Sequence, residues 1–450
     1  MKDNPKLYYK DDKRVSQVVD FLNVKKNVFC KGVVGSAKAF VVAAAFERLG
    51  GQHFVVCPDK ESAAYFYNDL ENIFGERDTD YAKKMVLFYP TSYKRPYEPE
   101  KPDNTYILSR TEVLQRVSTS ERKTIIVSYP EALSEKIVTR KILNKNTLRI
   151  NIGEKVDMDF VTDTLLEYNF EHVDFVVEPG QFAIRGGIVD VFSFANDYPY
   201  RIVFDFDEVE SIRSFNPVDQ LSIEKLQRIV LLPNLQDHNL SEERESIFQY
   251  LQNQTVMWLE ETDFLKERID VEYKKAVDAF NSCEENEGMK LPETLFAQSD
   301  ELLTQLDDFK LVTFETYSDS FGKEIVEFDI TPQPVFNKNF EMLLNSINSL
   351  KDRDYKMMFF SESRRQLERI QSILNDLQQK EESNQDFTPI LYSMKSGFVD
   401  NDLKISCFTD HQIFERYHRF HLREGFSNSQ ALTIKELYDL KPGDYVTHID

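Results

Sequence analysis

The first α/β unit of the sequence contains a stretch that resembles a phosphate-binding loop. The run GVVGSAKA (32–39) follows the apolar segment NVFC and opens a helical pattern, where such a loop is expected. The working motif needs glycine at position 37 for close backbone wrapping, and a hydroxyl at position 39 for Mg²⁺. Lys38 could still touch a phosphate. We therefore predict a degenerate nucleotide loop, made of Gly32, Gly35, Ala37, Lys38 and Ala39.

Other residues that could support catalysis are weaker candidates. In RIVFDFDEVES (201–211), Asp207 and Glu208 imitate magnesium-binding carboxylates, but the alternation of the run predicts a half-exposed strand that enters a solvated turn. His411, His418 and His421 lie in one charged stretch that we expect to be helical, without metal-ligand spacing. No nucleophile elbow is present. The sequence thus predicts no catalytic residue, no metal and no cofactor.

Three arginines form the candidate with the best context. Arg185 precedes the Gly186-Gly187 pair, while Arg201 and Arg213 lie in the aromatic-rich runs YPYRIVF and ESIRSF. Arginine among aromatic residues on a sheet is typical of a protein interface. The alternative is that each arginine pairs with a local carboxylate such as Asp190 or Glu208. Spacing alone leaves both interpretations open.

The elements that must position these residues divide the chain into units. Residues 1–143 alternate strand and helix patterns, which predicts a largely parallel sheet. Residues 144–233 change to short strands and hairpins, typical of an α+β domain with an antiparallel sheet. Residues 234–331 look helical and acidic, and 332–419 form a further small α/β unit. The fold class is therefore multidomain α/β.

Composition limits the functions that are open to such a chain. Its 450 residues include 55 basic and 77 acidic ones, for a formal charge of −22, so broad nonspecific DNA binding is not expected. The four scattered cysteines indicate no zinc or disulfide framework. No stretch has the length of a membrane span or the pattern of a signal peptide. These features favour a cytoplasmic protein with no membrane partner.

The arginine-bearing segment also resembles a known family. EPGQFAIRGGIVDVFSFANDYPYRIVFDFDEVESIRSFNP (178–217) is similar to the signature that UvrB shares with transcription-repair coupling factors (Mfd). The degenerate loop points to the coupling factors, and the Pro-rich loop after Tyr89 looks too short for the DNA-clamping hairpin of UvrB. GFVDNDLKISCFTDHQIFERYHR (397–419) and KPGDYVTHID (441–450) also resemble coupling-factor segments.

This resemblance implies a domain order and a partner. Residues 1–143, 144–233 and 234–331 would be domains 1a, 2 and 1b of a UvrB-like module, 332–419 would be domain 3, and 420–450 would be a linker and the start of a polymerase-interacting domain. Domain 2 of the family binds UvrA, and its contact positions fall on Arg185, Arg201 and Asp205 here. The chain ends within a strand pattern, so we expect a piece of a longer protein.

The functional expectation is a non-catalytic module that recruits UvrA of nucleotide excision repair. RNA polymerase and DNA would be bound only by domains missing from this chain, and the C-terminal domains of the full-length protein would mask the UvrA surface. Two alternatives remain open: an ATP-dependent, UvrB-like DNA-remodelling enzyme, and an architectural unit that restrains a translocase motor.

Overall fold

The computed structural model describes residues 4–24, 27–77, 79, 83–93, 95–97, 104–119, 123–194, 196, 198–233, 243–283, 289–314, 323–378 and 387–418. The helices are α1 (Pro5–Lys10), α2 (Lys13–Asn23), α3 (Ala37–Leu49), α4 (Lys60–Phe74), α5 (Asn104–Thr119), α6 (Pro130–Ser134), α7 (Arg140–Lys145), α8 (Met158–Glu167), α9 (Thr262–Ser282), α10 (Pro292–Leu295), α11 (Ser299–Leu306), α12 (Phe340–Lys351), α13 (Arg364–Gln378) and α14 (Asp410–Ile413). The strands are β1 (Asn27–Lys31), β2 (Gln52–Val56), β3 (Val86–Phe88), β4 (Thr124–Ser128), β5 (Ile137–Val138), β6 (Leu148–Asn151), β7 (Glu171–His172), β8 (Gln181–Arg185), β9 (Ile188–Val191), β10 (Tyr200–Asp205), β11 (Glu208–Phe215), β12 (Ser222–Leu226), β13 (Arg228–Leu231), β14 (Arg244–Glu245), β15 (Val256–Leu259), β16 (Lys310–Thr313), β17 (Lys323–Glu327), β18 (Ile330–Pro332), β19 (Lys356–Phe360), β20 (Thr388–Ile390), β21 (Phe398–Asp400) and β22 (Ile405–Thr409).

Three units, each built around one large sheet, make up the described structure, and we call them the first, second and third bodies. The first body is built on a seven-stranded parallel sheet in the order β17-β1-β16-β15-β2-β4-β3. Strands β2, β4 and β15 are buried along their whole length, as expected for strands that helices cover on both faces. Helix α3 is buried from Ala37 to Phe46 except for the half-buried Lys38. This parallel sheet confirms the α/β prediction for the first unit.

Three strands of the same sheet come from a part of the chain that is distant in sequence. β15, β16 and β17 lie between residues 256 and 327, yet they pair beside β1 and β2. The run LVTFET in that region has a strand-like pattern, but residues 234–331 were otherwise expected to be helical. Parallel strands of four or five residues have too little periodicity to be told from helix, and α9, α10 and α11 lie between β15 and β16 in the chain.

A six-stranded sheet, β12-β11-β10-β9-β8-β7, forms the second body. It is antiparallel except for the β7–β8 pair. Its inner face buries an alternate set of apolar side chains against Val161 and Leu165 of α8. We call the opposite side of this sheet the outer face. Gly186, with φ at 61°, makes the predicted β8–β9 hairpin, because a left-handed backbone suits glycine.

A five-stranded mixed sheet, β18-β21-β22-β19-β20, forms the third body and packs against α12 and α13. It joins the first body through buried aromatic side chains. The rings of Tyr9 and Phe40 stack with centroids 5.6 Å apart, and Phe398 of β21 packs edge-on against Phe40 at 5.9 Å. The Tyr9 hydroxyl also donates a 2.8 Å hydrogen bond to Asp400.

Two expected elements are shorter in the structure. The pattern of EHVDFVVE (171–178) predicts a strand of that length, but only the two-residue β7 forms. The chain then bends, so that the backbone N–H groups of Val177 and Glu178 donate to the side-chain oxygen of Gln181. DHQIFERYHRF yields only the four-residue α14, because Glu415 takes a φ of 50° and Arg416 N bonds to His411 O. That 2.8 Å bond closes the helix as a Schellman motif does.

Tryptophan occurs once in the sequence, at the centre of the first body. Trp258 is fully buried, and its indole N–H donates a 3.1 Å hydrogen bond to Nδ1 of His53. Burial lowers the pKa of His53 to about 3, so its ring is neutral and can accept that bond.

We predict that Trp258→Phe destabilises the protein by about 1–3 kcal/mol, because it leaves the buried Nδ1 of His53 without its donor. Chemical denaturation followed by circular dichroism would measure the loss. Tyr417→Phe is a suitable control, since Tyr417 is 76% exposed. A loss for Trp258→Phe as small as that of the control would contradict the prediction.

Candidate functional site

The predicted nucleotide loop lies between β1 and α3, as the sequence indicated. The backbone N–H groups of Ala37, Lys38 and Ala39 bond to the carbonyls of Val34, Gly35 and Ser36 at 3.1–3.3 Å. In a working loop, such N–H groups surround the phosphates. Here they are used within the turn itself.

Lys38 is held by a carboxylate that the sequence analysis missed. Its Nζ lies 2.5 Å from Oε2 of Glu260, directly after β15, and 5.4 Å from the Phe314 ring centroid. Glu260-Glu261 follows the apolar run VMWL, which is the pattern that was sought at Asp207-Glu208. In that other pair, Asp207 lies in the β10–β11 turn of the six-stranded sheet, as predicted, and Glu208 is the first residue of β11.

A segment of the third body packs onto the loop. The N–H of Ser396 donates to Oγ of Ser36 at 2.9 Å, and a Cβ added at Gly35 would lie 3.1 Å from Cβ of Ser396. Asp69 of α4 accepts hydrogen bonds from Ser36 Oγ at 2.6 Å and from Lys395 N at 2.9 Å. The loop therefore forms part of the packed interface between the first and third bodies.

Asp69 is buried at this joint, and burial raises its pKa to about 7. Because the folded-state pKa lies above the ordinary value of 3.8, the native state keeps a proton that the unfolded chain releases. The resulting stabilisation is complete below about pH 4 and is lost as the pH rises through about 7.

We predict that Asp69→Asn removes this pH dependence of the free energy of unfolding. The free energy of unfolding of the unsubstituted protein, minus that of Asp69→Asn, should fall between pH 4 and pH 7 and then stay constant. Urea denaturation followed by Trp258 fluorescence at several pH values would measure it, with Asp376→Asn, an exposed carboxylate on α13, as the control. A difference that stays constant across this range would show that Asp69 does not titrate there.

The predicted arginines meet on the outer face of the six-stranded sheet. Asp190 in β9 is 1% exposed and accepts hydrogen bonds from Arg201 at 2.7 and 2.8 Å and from Arg185 at 2.8 Å. The bonds to Asp190 raise the pKa of Arg201. The local pairing that the sequence analysis kept open is therefore real, with Asp190 as the shared partner.

This pairing leaves an excess of positive charge. One cross-strand row on the outer face runs through Asp190, Arg201, Arg213 and Lys225. Arg213 Nε has no hydrogen-bond partner among the described residues, and Lys225 is exposed. With Arg185, this part of the outer face thus carries four cations, of which Arg185 and Arg201 contact the one carboxylate. On a chain of charge −22, this is a local basic surface.

Aromatic rings hold the two guanidinium groups in place. Arg201 lies 4.5 Å from the Phe215 ring centroid and Arg185 lies 4.9 Å from that of Phe175. The side chain of Arg201 is 18% exposed and that of Arg185 is 41% exposed. Both can therefore reach a partner while their geometry is fixed.

Asp205, the third predicted contact residue, lies away from this pair. It is four residues beyond Arg201, at the end of β10, and is exposed. The next residue, Phe206, is 95% exposed at a φ of 55°. Alternation along the strand groups Phe206 with Ile202 and Phe204, so the sequence did not indicate that its side chain is exposed in the turn.

We predict that Asp190→Asn destabilises the protein by about 2 kcal/mol, because two guanidinium groups lose their buried counter-charge but can still turn toward water. Asp205→Asn is the matched control and should change stability by less than about 0.5 kcal/mol. Chemical denaturation would compare the two variants. Equal, small effects would mean that Asp190 does not anchor the arginines.

The described residues meet neither the requirements of a metal site nor those of a membrane-spanning helix. Among the described residues, no three His, Cys, Asp or Glu side chains are grouped so that they could hold a metal ion. His421 lies outside the described residues. Within those same ranges, no helix combines the length and the apolar character that crossing a membrane requires.

Comparison with known proteins identifies a family for the segment that holds the six-stranded sheet. Residues 148–236 match the family model of the UvrB interaction domain, and they contain the six-stranded sheet with β6 and β13. A transcription-repair-coupling factor from Borreliella burgdorferi is 22% identical over 98% of this chain and 41% of its own length. The chain resembles the N-terminal region of the transcription-repair-coupling factors, with a UvrB-like module.

Shorter matches agree with this. The transcription-repair-coupling factor of Myxococcus xanthus is 29% identical over 48% of this chain and 18% of its own length. UvrABC system protein B from Thermosipho africanus is 24% identical over 45% of this chain and 31% of its own length. The chain thus spans less than half the length of these relatives.

Proposed function

We propose that this chain is a non-catalytic module of a transcription-repair coupling factor, which recruits UvrA to stalled RNA polymerase. The observation that carries the proposal is the arginine pair on the outer face. Arg185 and Arg201 share the buried carboxylate of Asp190, and both keep part of their side chains exposed. They lie within the matched UvrB interaction domain.

The chemistry of the outer face fits an acidic partner. Guanidinium groups that are already oriented lose little conformational entropy when they bind a carboxylate, and they bind it through charge-assisted hydrogen bonds. Asp205 lies at the end of the same strand, where it would accept a hydrogen bond at the rim of the contact. The overall negative charge of the chain argues against a nucleic acid as the ligand of this surface.

In the proposed assembly, other domains of the coupling factor contact RNA polymerase and DNA, and its C-terminal domains mask the outer face until the motor engages. This chain alone would then bind UvrA without activation.

We predict that the purified chain binds purified UvrA, and that the double variant Arg185→Glu, Arg201→Glu weakens binding at least 100-fold. Charge reversal replaces two attractive contacts by repulsive ones. Isothermal titration calorimetry would measure both affinities.

Arg228→Glu is the matched control, since Arg228 is an exposed arginine on β13, outside the six-stranded sheet. Its affinity should stay within about twofold of that of the unsubstituted chain. Failure of the unsubstituted chain to bind UvrA would overturn constitutive recruitment and favour the architectural role.

The ATP-dependent alternative has less support. The N–H groups of the degenerate loop bond within the turn, Ala39 carries no hydroxyl, and Lys38 is paired with Glu260. ATP turnover by the purified chain that is lost in Lys38→Ala would favour this alternative over the binding module.

A further inference from the structure

The turn between β11 and β12 presents apolar side chains beside the arginine pair. Val218, Leu221 and Ile223 are 51%, 66% and 51% exposed, although they lie within six residues of one another. Exposed apolar residues that cluster next to charged groups are typical of a surface that a partner covers.

The turn is fixed to Arg201 by hydrogen bonds. Oε1 of Gln220 accepts from Nη2 of Arg201 at 3.0 Å, while Nε2 of Gln220 donates to the carbonyl of Pro217 at 2.9 Å. The N–H of Asn216 bonds to the carbonyl of Leu221 at 2.9 Å. The apolar side chains are therefore held in position relative to the arginine, which lowers the entropy cost of docking on them.

Strand pairing places the start of β12 on the side of the arginines. Lys225 pairs with Arg213, which pairs with Arg201, so all three share the outer face. Ser222 pairs with Phe215, whose ring lies against Arg201, and a register shift leaves Ile223 as the extra residue of a β-bulge beside Ser222. The carboxylate of Asp219, the acidic residue of the turn, accepts the N–H of Leu221 at 2.9 Å.

The other end of β10 offers a competing apolar contact, Phe206. Its surroundings, however, are more acidic: besides Asp205, the residues Asp207, Glu208 and Glu210 are exposed there, compared with Asp219 and Glu224 at the β11–β12 turn. Like charges would repel the acidic surface that the arginines attract. The apolar contact that an acidic partner can use is therefore at the β11–β12 turn.

We infer that Val218, Leu221 and Ile223 form the apolar half of the docking surface, adjacent to Arg201. This inference rests on the proposed function, because the occupant is the acidic partner proposed there. Its complementary surface would carry apolar side chains next to its carboxylates. The apolar contact excludes water from the ion pairs, which strengthens them.

The test compares the affinity of purified UvrA for three surface variants of the full chain. Leu221→Ser with Ile223→Ser should weaken binding at least tenfold. Phe206→Ser should weaken it less. Leu166→Ser is the matched control, since Leu166 is 54% exposed but lies on α8, which packs against the inner face. Circular dichroism melting would verify that every variant is folded.

The outcomes separate this inference from the proposed function. If the double serine variant binds within about twofold of the unsubstituted chain while Arg185→Glu, Arg201→Glu does not bind, the turn is not part of the surface and recruitment stands. A larger loss for Phe206→Ser than for the double serine variant would place the apolar contact at the other end of β10. If the unsubstituted chain does not bind, the proposed function itself fails.

Discussion

The carboxylate of Asp190 is buried beneath two arginines on the outer face of the six-stranded sheet, where an unpaired charge would cost several kcal/mol. Arg201 offsets that cost with two parallel hydrogen bonds and Arg185 adds a third. One acid therefore fixes two guanidinium groups on neighbouring strands and leaves their other donors toward the outer face. Because Gln220 also binds Arg201, the β11–β12 turn takes its position from the same charge. The arrangement of the outer face depends on this one buried group.

A second constraint joins the first and third bodies. Ser36, at the start of α3, bonds both to Asp69 and to the backbone of Ser396, and Tyr9, Phe40 and Phe398 pack together nearby. A loop with the position of a nucleotide site thus serves as a structural contact. Glycine is needed at position 32 even without a bound ligand, because a Cβ there would lie only 2.2 Å from the carbonyl oxygen of Phe328 and would clash with it.

Local sequence patterns predicted a good part of this arrangement. The Gly186-Gly187 pair between alternating runs predicted the hairpin, and the βαβα rhythm predicted the parallel sheet. The pairing of Lys38 with Glu260 was not predictable, because it depends on the order of β1, β16 and β15 in the sheet. The packing of Ser396 on the loop is likewise a tertiary contact between residues 360 positions apart. The arginines were identified, but only the structure shows that they share Asp190 and lie apart from Asp205.

The seven-stranded sheet has a consequence for how the protein is synthesised. β1 is completed by β16 and β17, whose partner residues are nearly 300 positions later in the chain. The six-stranded sheet, by contrast, pairs mostly neighbouring strands and is complete by residue 226. On the ribosome, the six-stranded sheet can therefore fold before the seven-stranded sheet from which it emerges. The free edge of β2 is paired only once β15 has left the exit tunnel, and β1 stays without both partners until residues 310–327 follow. The unpaired edges of the nascent first body are therefore the part of the chain most exposed to aggregation during synthesis.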